Sequence, residues 1–177
     1  MHNLVKMAFA TAKMNNDFIC LDTHSGYRST KLDPKGVQHL MAHSVSDADL
    51  GKLLLDTLSK SRFVLAEPRE GVWIHPEATF DPDLYDREIS SANYNKWVNN
   101  LIEIYSYKNK AELFKNMKNC SIDFTSDRLR ISPSRHEKLD AWSGDGLTDA
   151  DNVIIPADSS PAEIGAALRL AFSRCIG

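Results

Sequence analysis

His39 and His43 stand four residues apart, a spacing at which two imidazoles on one helix face can share a zinc ion. The stretch from Val37 to Met41 alternates as a strand, however, and four strand residues span about 13 Å, too far for two ligands on one metal. Turn or surface histidines are the plainer reading, and no metal is expected. Arg135-His136-Glu137-Lys138 is the densest polar cluster. His136 could act there as a general acid or base, or lie in the exposed start of a strand. Ser25-Gly26-Tyr27 lacks the strand–elbow–helix context of a hydrolase nucleophile, and the eight glycines contain no phosphate-binding loop. Cys20, Cys120 and Cys175 are odd in number, far apart and without the paired spacing of a zinc site. Each falls on an apolar face, which favours structural thiols in a reducing compartment over reactive ones. No catalytic residue, no cofactor and no enzymatic activity is therefore expected.

The elements that must position these residues follow from hydrophobic period. Residues 4–12, 18–22 and 37–41 read as strands, with a turn at Asp33-Pro34-Lys35-Gly36. The start could imitate a targeting signal, but Val5, Met7, Phe9 and Thr11 alternate as a half-buried strand does. Ser46 is a helix cap ahead of the stripe Leu50, Leu53, Leu54 and Leu58. Residues 71–75 read as a short strand, and Pro76 and Pro82 bracket a loop. Tyr94, Trp97, Val98, Leu101, Ile102 and Tyr105 then recur at helical spacing behind a Ser91 cap. Cys120, Ile122 and Phe124 alternate toward a turn at Ser126-Asp127-Arg128, and Leu129 and Ile131 complete a hairpin. Strands at 138–142 and 153–156 would extend the sheet. Ser160-Pro161-Ala162-Glu163 is a capping box opening a last helix that buries Ile164, Ala167, Leu168, Ala171, Phe172 and Cys175. The order predicts one α+β domain over residues 1–177, a mainly antiparallel twisted sheet with about three packed helices. No stretch approaches the ~20 apolar residues that span a bilayer.

Charge is distributed unevenly. Between Lys108 and Lys138 there are eight basic and four acidic residues, while the remainder holds thirteen basic and twenty acidic. Acidity concentrates from Glu77 to Glu88, opposed only by Arg87, and from Asp140 to Asp151, opposed by none. Solvated loops account for such runs in the ordinary way. The functional alternative is an acidic surface that meets a basic macromolecule such as a nuclease, through Asp81, Asp83, Asp86, Asp145 and Asp149, with Tyr85 and Trp142 as aromatic anchors. A nucleic-acid-binding module using the basic 108–138 face is the competing reading, weakened by a pI of about 6.1.

Three phrases, residues 111–120 (AELFKNMKNC), 134–142 (SRHEKLDAW) and 155–165 (IPADSSPAEIG), resemble together the contact-dependent growth inhibition (CDI) immunity proteins, CdiI, of Gram-negative bacteria. His24-Ser25-Gly26-Tyr27, Gly36 to Leu40, Asp49-Leu50-Gly51 and Ser61-Arg62-Phe63 fit the same family, so the resemblance runs nearly end to end. It implies a cytoplasmic protein that binds the C-terminal toxin domain of a cognate CdiA effector and blocks its active site. It further implies a Whirly-like fold without that fold's nucleic-acid motif, and a toxin resembling an EndoU-type ribonuclease. The family carries no universal contact residues over to this chain.

Overall fold

The computed structural model describes residues 3–177. In chain order the elements are β1 (Ala8–Met14), β2 (Ile19–Gly26), β3 (Thr30–Leu32), β4 (Gln38–Met41), α1 (Asp47–Ser59), β5 (Val64–Leu65), β6 (Thr79–Phe80), α2 (Arg87–Tyr105), α3 (Lys110–Phe114), β7 (Lys118–Phe124), β8 (Arg128–Pro133), β9 (Arg135–Lys138), β10 (Ala141–Ser143), β11 (Val153–Pro156) and α4 (Pro161–Arg174). Seven strands form one sheet in the order β11-β8-β7-β1-β2-β3, with β4 also on β2. Every pairing in it is antiparallel. β3 takes the Gly26 end of β2 and β4 the Ile19 end; the two run in one direction along the same edge, and the Asp33–Gly36 turn bulges out between them, with Thr23 bonded to Asp33 before it and to Val37 after it.

Both faces of the sheet are covered. Ala10, Ala12, Ile19, Leu21, Cys120, Ile122, Leu129 and Ile131 lie under Leu50, Leu54 and Leu58 of α1 and Ile164, Leu168 and Phe172 of α4. On the opposite face, Phe18 and Cys20 meet Trp97, Val98 and Leu101 of α2, and Leu113, Phe114 and Met117 complete that cluster. The run Phe18-Ile19-Cys20-Leu21 is consequently buried throughout instead of alternating. α1 and α4 approach at two glycines. A Cβ on Gly51 would stand 1.8 Å from the Pro161 carbonyl oxygen, and one on Gly165 1.9 Å from that of Asp47. Arg169 of α4 clasps the start of α1, its Nε 2.7 Å from Asp47 Oδ1.

The caps explain where helices begin. Ser46 Oγ accepts from Asp49 N, and Ser160 Oγ from Glu163 N, both at the predicted positions. α2 starts earlier than predicted, because Asp86 Oδ1 accepts from Ile89 N and leaves Ser91 inside the helix. Residues 71–75 form no strand: the His75 amide donates to the Tyr27 hydroxyl, and β5 pairs instead with β6 in parallel. Residues 138–142 do not extend the sheet either. The chain reverses at Leu139-Asp140, so β9 and β10 make a separate ribbon. Among the described residues the α-helices number four, α3 being five residues long.

Candidate functional site

Ser25 Oγ, near the end of β2, donates to Asp33 Oδ2 at 2.6 Å and accepts from the Arg62 amide at 2.8 Å. Arg62 forks onto Asp33, with Nε to Oδ2 at 2.7 Å and Nη2 to Oδ1 at 3.0 Å. Its Nη1 reaches Asp81 Oδ2 at 2.8 Å, which Lys35 Nζ also approaches at 3.2 Å. Burial pushes the Asp33 carboxyl up, but the Arg62 guanidinium, the Ser25 hydroxyl and the Lys35 amide outweigh it and hold it below the usual carboxylate range. The network ties the turn after β3, the segment after α1 and the approach to α2 into one rigid frame.

That frame carries an open cleft of about 540 Å3, walled by Tyr27, Leu65, Val72, Trp73, Ile74 and Tyr85 and edged by Arg28, Glu67 and Arg69. Tyr27 stacks on Phe63 at 4.9 Å, and its hydroxyl holds His75 N at 2.9 Å, which fixes the 71–75 segment as the outer wall. Tyr85 donates to the Val64 carbonyl at 2.7 Å. Burial raises its phenol further, so it remains a donor. Val72 is 57% exposed, Phe80 44% and Trp73 38%, a group of apolar side chains in water beside tyrosines and arginines. Tyr85 also borders a shallow polar depression along α2, with Lys31, Arg87 and Tyr94. Tyr94 in turn donates to Asp140, which Lys110 Nζ meets at 3.4 Å. A continuous strip therefore runs from Trp73 through Tyr85 and Tyr94 to Asp140. Large amphipathic side chains, arginines at the margin and flanking carboxylates are what the centre of a protein–protein interface contains.

The predicted site residues fall in several places. Asp83 and Asp145 are exposed. Asp81 is committed to Arg62 and Lys35, and Asp86 to the cap of α2. Asp149 lies in a short turn of helix just before β11, at the sheet edge opposite β3, away from Asp81 and its contact with Lys35 in the turn after β3. Tyr85 sits in the strip. Trp142 packs edge-on to Phe114, stacks with His136 at 5.0 Å and donates to the Met117 carbonyl, at the margin of the second core. The candidates for chemistry have other partners: His136 Nε2 donates to the Leu139 carbonyl, His43 Nε2 to that of Asn15, and His39 pairs with Asp56. Arg128 and Arg130 share Asp123, Lys110 meets Asp140 and Arg135 meets Glu137, so much of the basic 108–138 segment is neutralised in place. The Val72–Trp73 wall went unread because its apolar residues fit a strand pattern and only the fold turns them outward.

Fold and surface together are those of an α+β protein that presents an aromatic strip of the kind suited to protein contact. The family model for CdiI, CDI immunity protein, matches residues 8–175, and the chain belongs to that family. It is 58% identical over 177 residues, the full length of both chains, to immunity protein CdiI-YPIII of Yersinia pseudotuberculosis serotype O:3 (strain YPIII). In structure it is similar to a chain of the CdiA-CT/CdiI toxin and immunity complex from Yersinia pseudotuberculosis, with a TM-score of 0.96 and 58% identity over 98% of this chain and 99% of that one. A protein of unknown function, NMB0488 from Neisseria meningitidis, is similar with a TM-score of 0.81 and 36% identity over 99% of each chain. Immunity proteins act as inhibitors, which accords with a surface built for binding.

Proposed function

We propose that this chain, acting as one domain, binds the C-terminal toxin domain of its cognate CdiA effector in the cytoplasm and neutralises it. The observation that carries the reading is the full-length 58% identity to a CdiI immunity protein, together with a TM-score of 0.96 to a chain of a CdiA-CT/CdiI complex. The strip from Trp73 to Asp140 is the interface: its aromatic wall supplies apolar area, and Asp83 beside Tyr85 supplies the charge that draws a basic partner.

The finer reading is that the toxin is a nuclease, of the ribonuclease type that the family resemblance suggests, and that the immunity protein covers its active site. A groove that holds phosphates must be positive, and carboxylates can take the place of phosphates there. Co-expression with the toxin encoded immediately upstream tests the main reading, and growth rescue is the expected result. Val72→Ala with Trp73→Ala should weaken binding at least tenfold while leaving the thermal midpoint nearly unchanged. Failure of the unaltered protein to rescue overturns the function; unchanged affinity in the double variant moves the interface off the cleft. Cleavage assays of the purified toxin on RNA and on DNA, with and without one equivalent of immunity protein, decide substrate class and active-site occlusion.

A further inference from the structure

Cys120 and Cys175 are 55 positions apart in the chain, yet their sulfurs lie 3.7 Å from each other. Cys120 points from β7 into the core under α4 and is fully buried. Cys175 ends α4 in an extended conformation and is only partly buried, so it is the sulfur a dissolved reagent reaches first. Its position is fixed on both sides. The Cys175 amide donates to the Phe172 carbonyl at 3.2 Å, and the next residue, Ile176, donates to Ser134 O at 3.1 Å and accepts from the His136 amide at 2.8 Å.

We propose that Cys120 and Cys175 form a thiol–disulfide modification site, a dithiol that small disulfides of the glutathione class oxidise reversibly to an intramolecular disulfide. The local chemistry supplies one attacking and one resolving sulfur. The hydrogen bond from Cys120 lowers the Cys175 thiol to about 7 against the opposing pull of burial, with the Lys118 charge assisting. The same contact, together with burial, raises Cys120 well above its ordinary value. A thiol with a pKa near neutral combines thiolate fraction with nucleophilicity, which is the optimum for exchange.

In the first step the Cys175 thiolate attacks one sulfur of oxidised glutathione, the S–S bond breaks, and one glutathione leaves and takes up the proton that Cys175 released. In the second, Cys120 attacks the Cys175 sulfur of the mixed disulfide, and the second glutathione departs with the Cys120 proton. The two cysteines together lose two electrons, and one oxidised glutathione becomes two reduced ones. Cys20 takes no part, since it is fully buried in the other cluster with its thiol on Asp22 Oδ2 at 3.1 Å.

The site is independent of the toxin-binding reading and is tested on the free, full-length protein. The folded protein is equilibrated with glutathione at graded ratios of oxidised to reduced form, quenched with acid, unfolded and alkylated, and analysed by intact mass and peptide mapping. The expected product has lost two hydrogens, carries one alkyl group on Cys20, yields a peptide joining residues 120 and 175, and melts at a higher temperature until a reductant is added. Cys120→Ala should stop at a single glutathione on Cys175, and Cys175→Ser, at the partly buried position, should give neither product. The proposal is overturned if the unaltered protein stays fully reduced at every ratio, halts at the mixed disulfide, or cross-links through Cys20.

Discussion

Asp33 has no exposed side-chain surface, and a carboxylate so placed is tolerated because Arg62 and Ser25 saturate it. Removing the guanidinium in Arg62→Ala leaves that charge uncompensated, and a loss of about 3 kcal/mol in urea unfolding at neutral pH is expected. Because the Asp33 carboxyl is held below its unfolded value of about 3.9, its contribution is complete above that pH and is lost as pH falls through the folded value. Acid titration of stability should therefore fall less steeply below pH 4 in Arg62→Ala than in the unaltered protein; parallel acid limbs would remove Asp33 from the account. His24 shows the opposite response to burial. Desolvation, with Lys13 adding repulsion, takes its imidazole down to about 3 and keeps it neutral on the sheet.

Contact between α1 and α4 depends on the absence of two side chains. With a methyl on Gly165 the Asp47 carbonyl, a backbone atom that no rotamer change can move, would lie 1.9 Å away. The helices must then separate over the Leu50, Leu54 and Leu168 core. Gly165→Ala should cost about 2 kcal/mol, or roughly 4–8 °C in melting temperature, although alanine is the better helix former. A neutral or stabilising outcome would show that the helices slide without penalty. Capping works at the same scale: Asp86 holds the first turn of α2, so its replacement by lysine should lower stability by about 1 kcal/mol, separately from any effect on a partner.

At the scale of the molecule, Asp81 meets Lys35 in the turn after β3 while Asp149 stands just before β11, at the opposite edge of the sheet, and exposed charges act over a Debye length of about 8 Å at physiological salt. Asp83→Lys, close to the aromatic strip, should slow toxin association and flatten its salt dependence. Asp145→Lys with Asp149→Lys should leave association within about twofold, and neither set should move the melting temperature appreciably. Stopped-flow mixing with the toxin domain at two ionic strengths measures this, and the reverse ranking would place the toxin over the β10–β11 side.

The sequence by itself determined the parts that depend on neighbours along the chain. Ser46 and Ser160 act as caps because the amide each one binds lies three residues on, and the β7–β8 hairpin follows from alternation on either side of a tight turn. The α+β class and the family also followed from local patterns and phrases. Only the tertiary structure decided what depends on distant contacts. Tyr27 captures the amide of His75 and turns the Val72–Trp73 segment from a predicted strand into a cleft wall, across 48 positions of sequence. Asp81, one of a run of acids in the sequence, proves to be a partner of Arg62 and Lys35. Cys120 and Cys175 meet because α4 returns across the sheet to β7, and no spacing rule can register a contact between residues that only folding brings together.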